Sequence, residues 1–248
     1  MAETVLDYEA EAAHYDRTRG GVPRAEAAAR AVLSLVPAGT RTLLDLACGT
    51  GLVTERLARP GLGVYGADAA HAMLRVAAER VPGRTVRADA RRLPLPDASV
   101  DAVSAVWLLH LAPFAPEIVA EAARVLRPGG VLVATVDKDA AHDVGSDIDE
   151  VLRPLRSAAP ASDRADLVTA HAAAHGLDPL SSAHFTGHGQ GATPRDTARK
   201  LRAGYFASWF SGDPATTETL AAALDALPDQ DRRRPDPRYR LASFVRRG

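Results

Sequence analysis

A short apolar run, TLLDLA (42–47), carries Asp45 near its end and runs straight into the glycine turn CGTG and the helix-forming stretch LVTERLAR. That unit then repeats. Strand GVYGAD (63–68) leads to helix AHAMLRVAAERV (70–81), strand TVRADA (85–90) to a proline-containing loop, and strand VDAVSAVWLL (100–109) to helix PEIVAEAARVL (116–126). The tetrapeptide RPGG (127–130) then reads as a helix stop and tight turn before strand VLVATV (131–136). Strands alternating with helices at this spacing must pair in parallel, because each crossover helix returns the chain to the same edge of the sheet. The expectation is an α/β fold built on a doubly wound sheet.

The flanks fit around that core. VPRAEAAARAVLSLV (22–36) opens with Pro23, where a first helical turn tolerates it, and places Val32, Leu33 and Val36 on one stripe, so it predicts a helix. Beyond Asp137 the apolar spacing predicts helices over 146–157, 162–175, 195–209 and 215–227, and two late strands over 181–188 and 238–247. The expected layout is one domain over 1–248. It has N-terminal lid helices over 1–36, a ligand-binding core over 42–137, a helical insertion over 138–237 with a late strand near 181–188, and a last strand over 238–247. The sheet would be Rossmann-like and mostly parallel, with an antiparallel C-terminal strand and a helical lid or insertion.

Charge and composition narrow the partners. Thirty basic against 31 acidic side chains leave a formal charge of −1, which gives no basic excess to neutralise nucleic-acid or lipid phosphates. No apolar stretch is long enough to cross a bilayer, and MAETVLDYEAEAAHYD lacks the basic-then-apolar order of a signal peptide. We expect a cytoplasmic protein with no membrane or nucleic-acid partner; the oligomeric state stays open. Cys48 is the only cysteine, so an intrachain disulfide, a thiolate metal cage and an iron–sulfur site are excluded, and with no basic partner in view it reads as a small filler. No metal is expected.

In open parallel sheets ligands bind outside the carboxyl ends of the strands. Three of those ends carry a carboxylate: Asp45, Asp68 and Asp89. Any one alone could merely cap a turn, but three in consecutive units beside Gly49 and Gly51 point to a ligand. The glycine turn by itself raises a dinucleotide, yet Thr54 stands where GxGxxG would have its third glycine, and Asp45 would repel a pyrophosphate. A carboxylate there attracts an ammonium or sulfonium instead, and S-adenosylmethionine has both. Asp68 is then placed for the ribose hydroxyls and Asp89 for the adenine amino group, with Met73 and Leu74 as apolar cover.

LLDLACGTG, GADAAHAML, ADARRLPLPDASVDAV and EAARVLRPGG together resemble, in order and spacing, four motifs of class I S-adenosylmethionine-dependent methyltransferases, closest to the group of ubiquinone and menaquinone C-methyltransferases and small-molecule methyltransferases. The resemblance implies S-adenosyl-L-methionine as cofactor and S-adenosyl-L-homocysteine as product. It implies Asp45, Ala47, Gly49 and Gly51 at the methionine end, Asp68 and Ala69 at the ribose, Met73, Asp89 and Ala90 at the adenine, and Val106 and Trp107 beside the sulfonium. Tyr8, Tyr15 and Arg19 are lid residues by the same similarity, Tyr15 and Arg19 against the cofactor and Tyr8 against the acceptor. His110, just past the fourth strand, is the candidate base, with a hydrogen-bonded histidine under a loop as the plainer reading. Tyr205 and Trp209, with His184, His188 and Phe210 near them in sequence, are candidates to face a flat or apolar acceptor. DRRRPDPR (231–238) reads as a solvated loop, because its aspartates offset its arginines.

The expected function is methyl transfer to O, N or activated C of a small organic molecule, with secondary metabolism implied by the resemblance alone. The alternative keeps the cofactor without the transfer, as a sensor or a cofactor-assisted cyclase. A nicotinamide-dependent oxidoreductase is disfavoured by Asp45 and Thr54.

Overall fold

The computed structural model describes residues 8–111, 114–155, 161–204 and 214–248. Two short helices, α1 (Tyr8–Glu11) and α2 (Tyr15–Thr18), precede α3 (Gly21–Leu35). The alternating core follows as β1 (Thr42–Leu46), α4 (Leu52–Arg56), β2 (Gly63–Asp68), α5 (His71–Arg80), β3 (Thr85–Arg87), β4 (Val100–Ala105), α6 (Ala115–Val125) and β5 (Leu126–Val136). The chain ends with α7 (Asp147–Leu152), α8 (Ala165–Ala174), β6 (Leu177–Thr186), α9 (Pro194–Arg202), α10 (Pro214–Asp225) and β7 (Arg238–Arg246).

The seven strands form one sheet in the order β3-β2-β1-β4-β5-β7-β6. The first five pair in parallel, and β7 slots antiparallel between β5 and β6. This is the Rossmann-like sheet the alternation predicts, mostly parallel with one antiparallel C-terminal strand, β7. The order reverses between β1 and β4, which opens a crevice at their carboxyl ends. Alternate residues of the central strands face opposite layers. Leu43, Ala102, Val131 and Val133 pack with Ala28 and Val32 of α3, whereas Leu44, Val103, Leu132 and Ala134 pack with Ile118 and Val119 of α6 and Val168 and Ala172 of α8.

Several boundaries differ from the sequence expectation. β4 stops at Ala105, short of the expected 109, because Trp107 takes a left-handed φ of 57° and Leu109–Leu111 curl into a 3-10 turn. RPGG is not a turn outside the sheet. It bulges within β5, since Leu126 already pairs with Val100 before the register resumes at Val131 and Ala102. Helix α7 ends at Leu152 in a 3-10 turn at Arg153–Leu155, and α9 ends at Arg202. The segment expected as one insertion divides in two: α8 packs under the sheet, whereas α7, α9 and α10 share a separate cluster of Ile148, Ala198, Leu201, Ala221 and Leu224. The loop DRRRPDPR is largely exposed, as expected, but it is also pinned. Arg234 pairs with Asp147 at 2.7 Å, Arg233 donates to the carbonyls of Gly189 and Gly191, and Asp236 accepts from the same two residues' amides. Among the described residues no helix is long and apolar enough to cross a membrane.

Candidate active site

A cavity of about 370 Å³ lies across the carboxyl ends of β1, β2 and β4, roofed by α1, α2 and the start of α3. Its floor is set by strand register. Asp45 of β1 lies beside Ser104 of β4, whose hydroxyl donates to Asp45 Oδ1 at 2.7 Å, while Thr54 from α4 donates to Oδ2 at 2.7 Å. Burial pushes the Asp45 carboxyl up to about 6 against the pull of those two hydroxyls, and no Arg or Lys pairs with it among the described residues. The aspartate is therefore held by neutral donors and keeps its attraction for a cation.

Asp68 ends β2 and fastens the glycine turn. Its two oxygens accept from the amides of Gly49 and Ala70, each at 2.8 Å, and burial raises its carboxyl above the ordinary range. Each oxygen keeps a lone pair for a further donor. Asp89 differs: Arg91 grips it through Nε and Nη2, holding its carboxyl below the usual range. Any adenine amino contact would thus be shared with Arg91, whose guanidinium also lies 4.4 Å from the Phe114 ring centroid.

The cavity gathers Tyr8, Tyr15 and Arg19 of the lid, Asp45, Ala47 and Gly49 of the first unit, and Asp68, Ala69 and Met73 of the second. Asp89, Ala90, Val106 and Trp107 complete the predicted set that lines it. Ala47 and Trp107 both hold left-handed backbone, at φ 53° and 57°, a conformation that costs non-glycine residues about 1–3 kcal/mol each and clusters at functional sites.

Other predicted residues stand elsewhere. Gly51 does not line the cavity; it opens α4 at φ 76°, and a Cβ there would meet Ala77 Cβ at 3.0 Å, so it serves helix packing. Leu74 is buried behind Met73 in α5 and also stays out. His110 does not line the cavity; it sits in the 3-10 turn with Nδ1 buried and unpartnered, and its imidazole is held well below its ordinary pKa by burial first and then by Lys138, His142 and Arg24 nearby. His184 and His188 are exposed and do not line the cavity. Tyr205, Trp209 and Phe210 lie outside the described residues. Cys48 packs against Gly66, and burial pushes its thiol up, as befits a filler.

The sequence reading missed the residues that latch the lid. Asp16 of α2 accepts from Thr50 Oγ1 at 2.6 Å and pairs with Arg80 at 2.7 Å, while Arg80 also donates to the Thr50 carbonyl. Glu9 of α1 accepts from the amides of His71 and Ala72 at 2.7 Å, capping α5, whose own Ala70 has no side chain to do so. The hint was Ala at an N-cap, which leaves open which distant carboxylate supplies the cap. Arg24 of α3 was missed as well. It is 7% exposed, donates Nη1 to the Arg19 carbonyl at 2.9 Å, and lays its guanidinium 3.4 Å from the Trp107 ring centroid. Among the described residues no cluster of His, Cys, Asp or Glu is arranged to hold a metal.

The family described as "Methyltransferase domain" matches residues 44–134. An uncharacterized methyltransferase of Mycobacterium tuberculosis is 42% identical over 120 residues, covering 48% of this chain and 46% of that protein. The demethylmenaquinone methyltransferase of Tropheryma whipplei is 39% identical over 94 residues, covering 37% and 39%. The chain thus spans less than half the length of these curated relatives. Among solved structures, the cyclase SpnF superposes with a TM-score of 0.61 at 20% identity, covering 98% of this chain and 94% of that one, a likeness of fold.

Proposed function

We propose, from the match of residues 44–134 to the methyltransferase-domain family and from the site's geometry, that the protein transfers a methyl group from S-adenosylmethionine to O, N or activated C of a small organic molecule. The observation that carries this reading is Asp45, a buried carboxylate beside the glycine turn with hydroxyl donors only, in one cavity with Asp68 and Asp89. The residues fit the cofactor. Asp45 suits its cationic methionine end, the spare lone pairs of Asp68 suit two ribose hydroxyls, and Met73, Ala90 and Ile118 offer apolar walls to a purine. A cavity of about 370 Å³ is of small-ligand size.

When bound, the cofactor supplies a methyl group made electrophilic by its sulfonium. The chain's own residues orient and enclose. The latch of Asp16 and Glu9 holds α1 and α2 on the glycine turn and α5, and the β4 end presents Val106 and Trp107 to the acceptor side. Burial holds His110 well below its ordinary pKa, and it does not line the cavity, so it serves only an acceptor that extends beyond the lining residues. A cytoplasmic enzyme of secondary metabolism goes with this reading.

The test is a thermal-shift comparison of S-adenosylmethionine, S-adenosylhomocysteine and nicotinamide dinucleotides, followed by labelled methyl transfer to small acceptors. At about 100 times its Kd, a true ligand adds about 2.7 kcal/mol of stability. Stabilisation by the two sulfur ligands alone supports the reading, and stabilisation by a dinucleotide overturns it. Tight binding with no S-adenosylhomocysteine formed from any acceptor would favour a non-transferring role.

A further inference from the structure

Two buried hydrogen-bond donors, in side chains stacked on one another, have nothing to donate to. Arg24 Nε and Trp107 Nε1 have no partner among the described residues, both side chains line the cavity, and the guanidinium stacks on the indole. Neither group can accept a hydrogen bond, so what each of them lacks is an acceptor. Arg24 also has no carboxylate within ion-pair distance among the described residues, although it is 7% exposed. A buried cation without a counter-ion is costly, and burial pulls its guanidinium below the usual range.

Position separates this site from the adenosine side. Asp89 just past β3, Asp68 at the end of β2 and Asp45 on β1 follow the strand order towards the sheet centre. Arg24 lies on the other side of that centre, over Trp107 beyond β4, and Trp107 packs edge-on against Phe185 of β6 and Tyr239 of β7 at 5.5 Å. Bound S-adenosylmethionine brings a further net positive charge towards this end, which deepens the need for an anion.

We propose that Arg24, with Trp107 Nε1, anchors a carboxylate of the methyl acceptor, so that the substrate class is an organic acid with an apolar or aromatic body lying against Trp107. This rests on the methyltransferase reading above. A guanidinium presents fixed, planar donors that match a carboxylate, and the aromatic cluster supplies the apolar wall beside it.

The experiment is calorimetric titration of the full-length protein, saturated with S-adenosylhomocysteine, with benzoate, 4-hydroxybenzoate, indole-3-acetate and octanoate, each matched to its primary amide. At least one acid should bind about ten-fold or more tighter than its amide, the scale of one charge-assisted hydrogen bond. Arg24→Gln should erase that preference and leave the Kd for S-adenosylhomocysteine within about three-fold, while Arg24→Lys, which keeps the charge, should retain part of it. Should Arg24→Gln fail to fold, Trp107→Phe removes the second donor and should narrow the preference on its own. The proposal is overturned if no acid outbinds its amide or if the preference survives Arg24→Gln. It is equally overturned if Arg24→Gln weakens S-adenosylhomocysteine and leaves the acids alone, since Arg24 would then hold the cofactor's carboxylate. Failure of wild-type protein to bind S-adenosylhomocysteine would instead strike the underlying reading, and the acid preference, measured without it, would still decide the role of Arg24.

Discussion

Thr54 Oγ1 donates to Asp45 Oδ2 at 2.7 Å in the protein interior, so the residue that replaces the third glycine of a dinucleotide turn instead clamps the strand-end carboxylate. Ser104 holds the other oxygen at the same distance. Two neutral hydroxyls keep the group oriented without cancelling its charge.

The Asp45 carboxyl is raised from 3.8 to about 6 in the fold, so its contribution to stability is greatest below the unfolded pKa and is lost as pH rises through the folded one. Apo protein should lose about 3 kcal/mol between roughly pH 4 and 6 from this group. Asp163, also raised to about 6 by burial, adds to the same slope. Urea melts across that range should show Asp45→Asn flattening part of it, and an unchanged slope would refute the assignment.

Thr54→Val removes one clamp and leaves Asp45 Oδ2 without its donor. A loss of about 1–3 kcal/mol is expected for a buried acceptor left unpaired. Denaturant midpoints at pH 7 measure it.

Asp68→Ala removes both the acceptor of the Gly49 and Ala70 amides and the group facing the ribose. S-adenosylhomocysteine affinity should fall by about 1.5–3 kcal/mol by calorimetry. An unaltered Kd would take the ribose away from Asp68.

Asp16→Ala opens the latch between α2 and the glycine turn. Because the Asp16–Arg80 pair is partly exposed, the melting temperature should barely move, whereas S-adenosylhomocysteine should leave up to about ten-fold faster in stopped flow. The effect of added salt on wild type should run in the same direction.

His110→Ala separates a base from a packed histidine. For a base, kcat falls about 10²- to 10⁴-fold with the cofactor Kd unchanged. The wild-type rate should lack the inflection near pH 6.5 that an ordinary imidazole would give, because burial holds His110 well below that value.

What was legible in the sequence is what depends on near neighbours along the chain. Apolar alternation set β1, β2, β4 and their helices, and placing Asp45, Asp68 and Asp89 at successive strand ends needed only the rule that parallel strands end on one rim. Strand ends were overrun where the backbone itself turned, as at Trp107, because left-handed φ leaves no mark in residue type. The tertiary structure alone decided which side chains meet across long separations. Asp16 reaches Thr50 34 residues away, Glu9 reaches Ala72 63 residues away, and Arg24 lies on Trp107. It also decided that Gly51 packs on Ala77 while Gly49 stays at the cavity. Local propensity fixes the direction and length of each element, but a side chain's partner and its loss of water arise only when the elements pack, and at this site that packing joins the lid to the sheet.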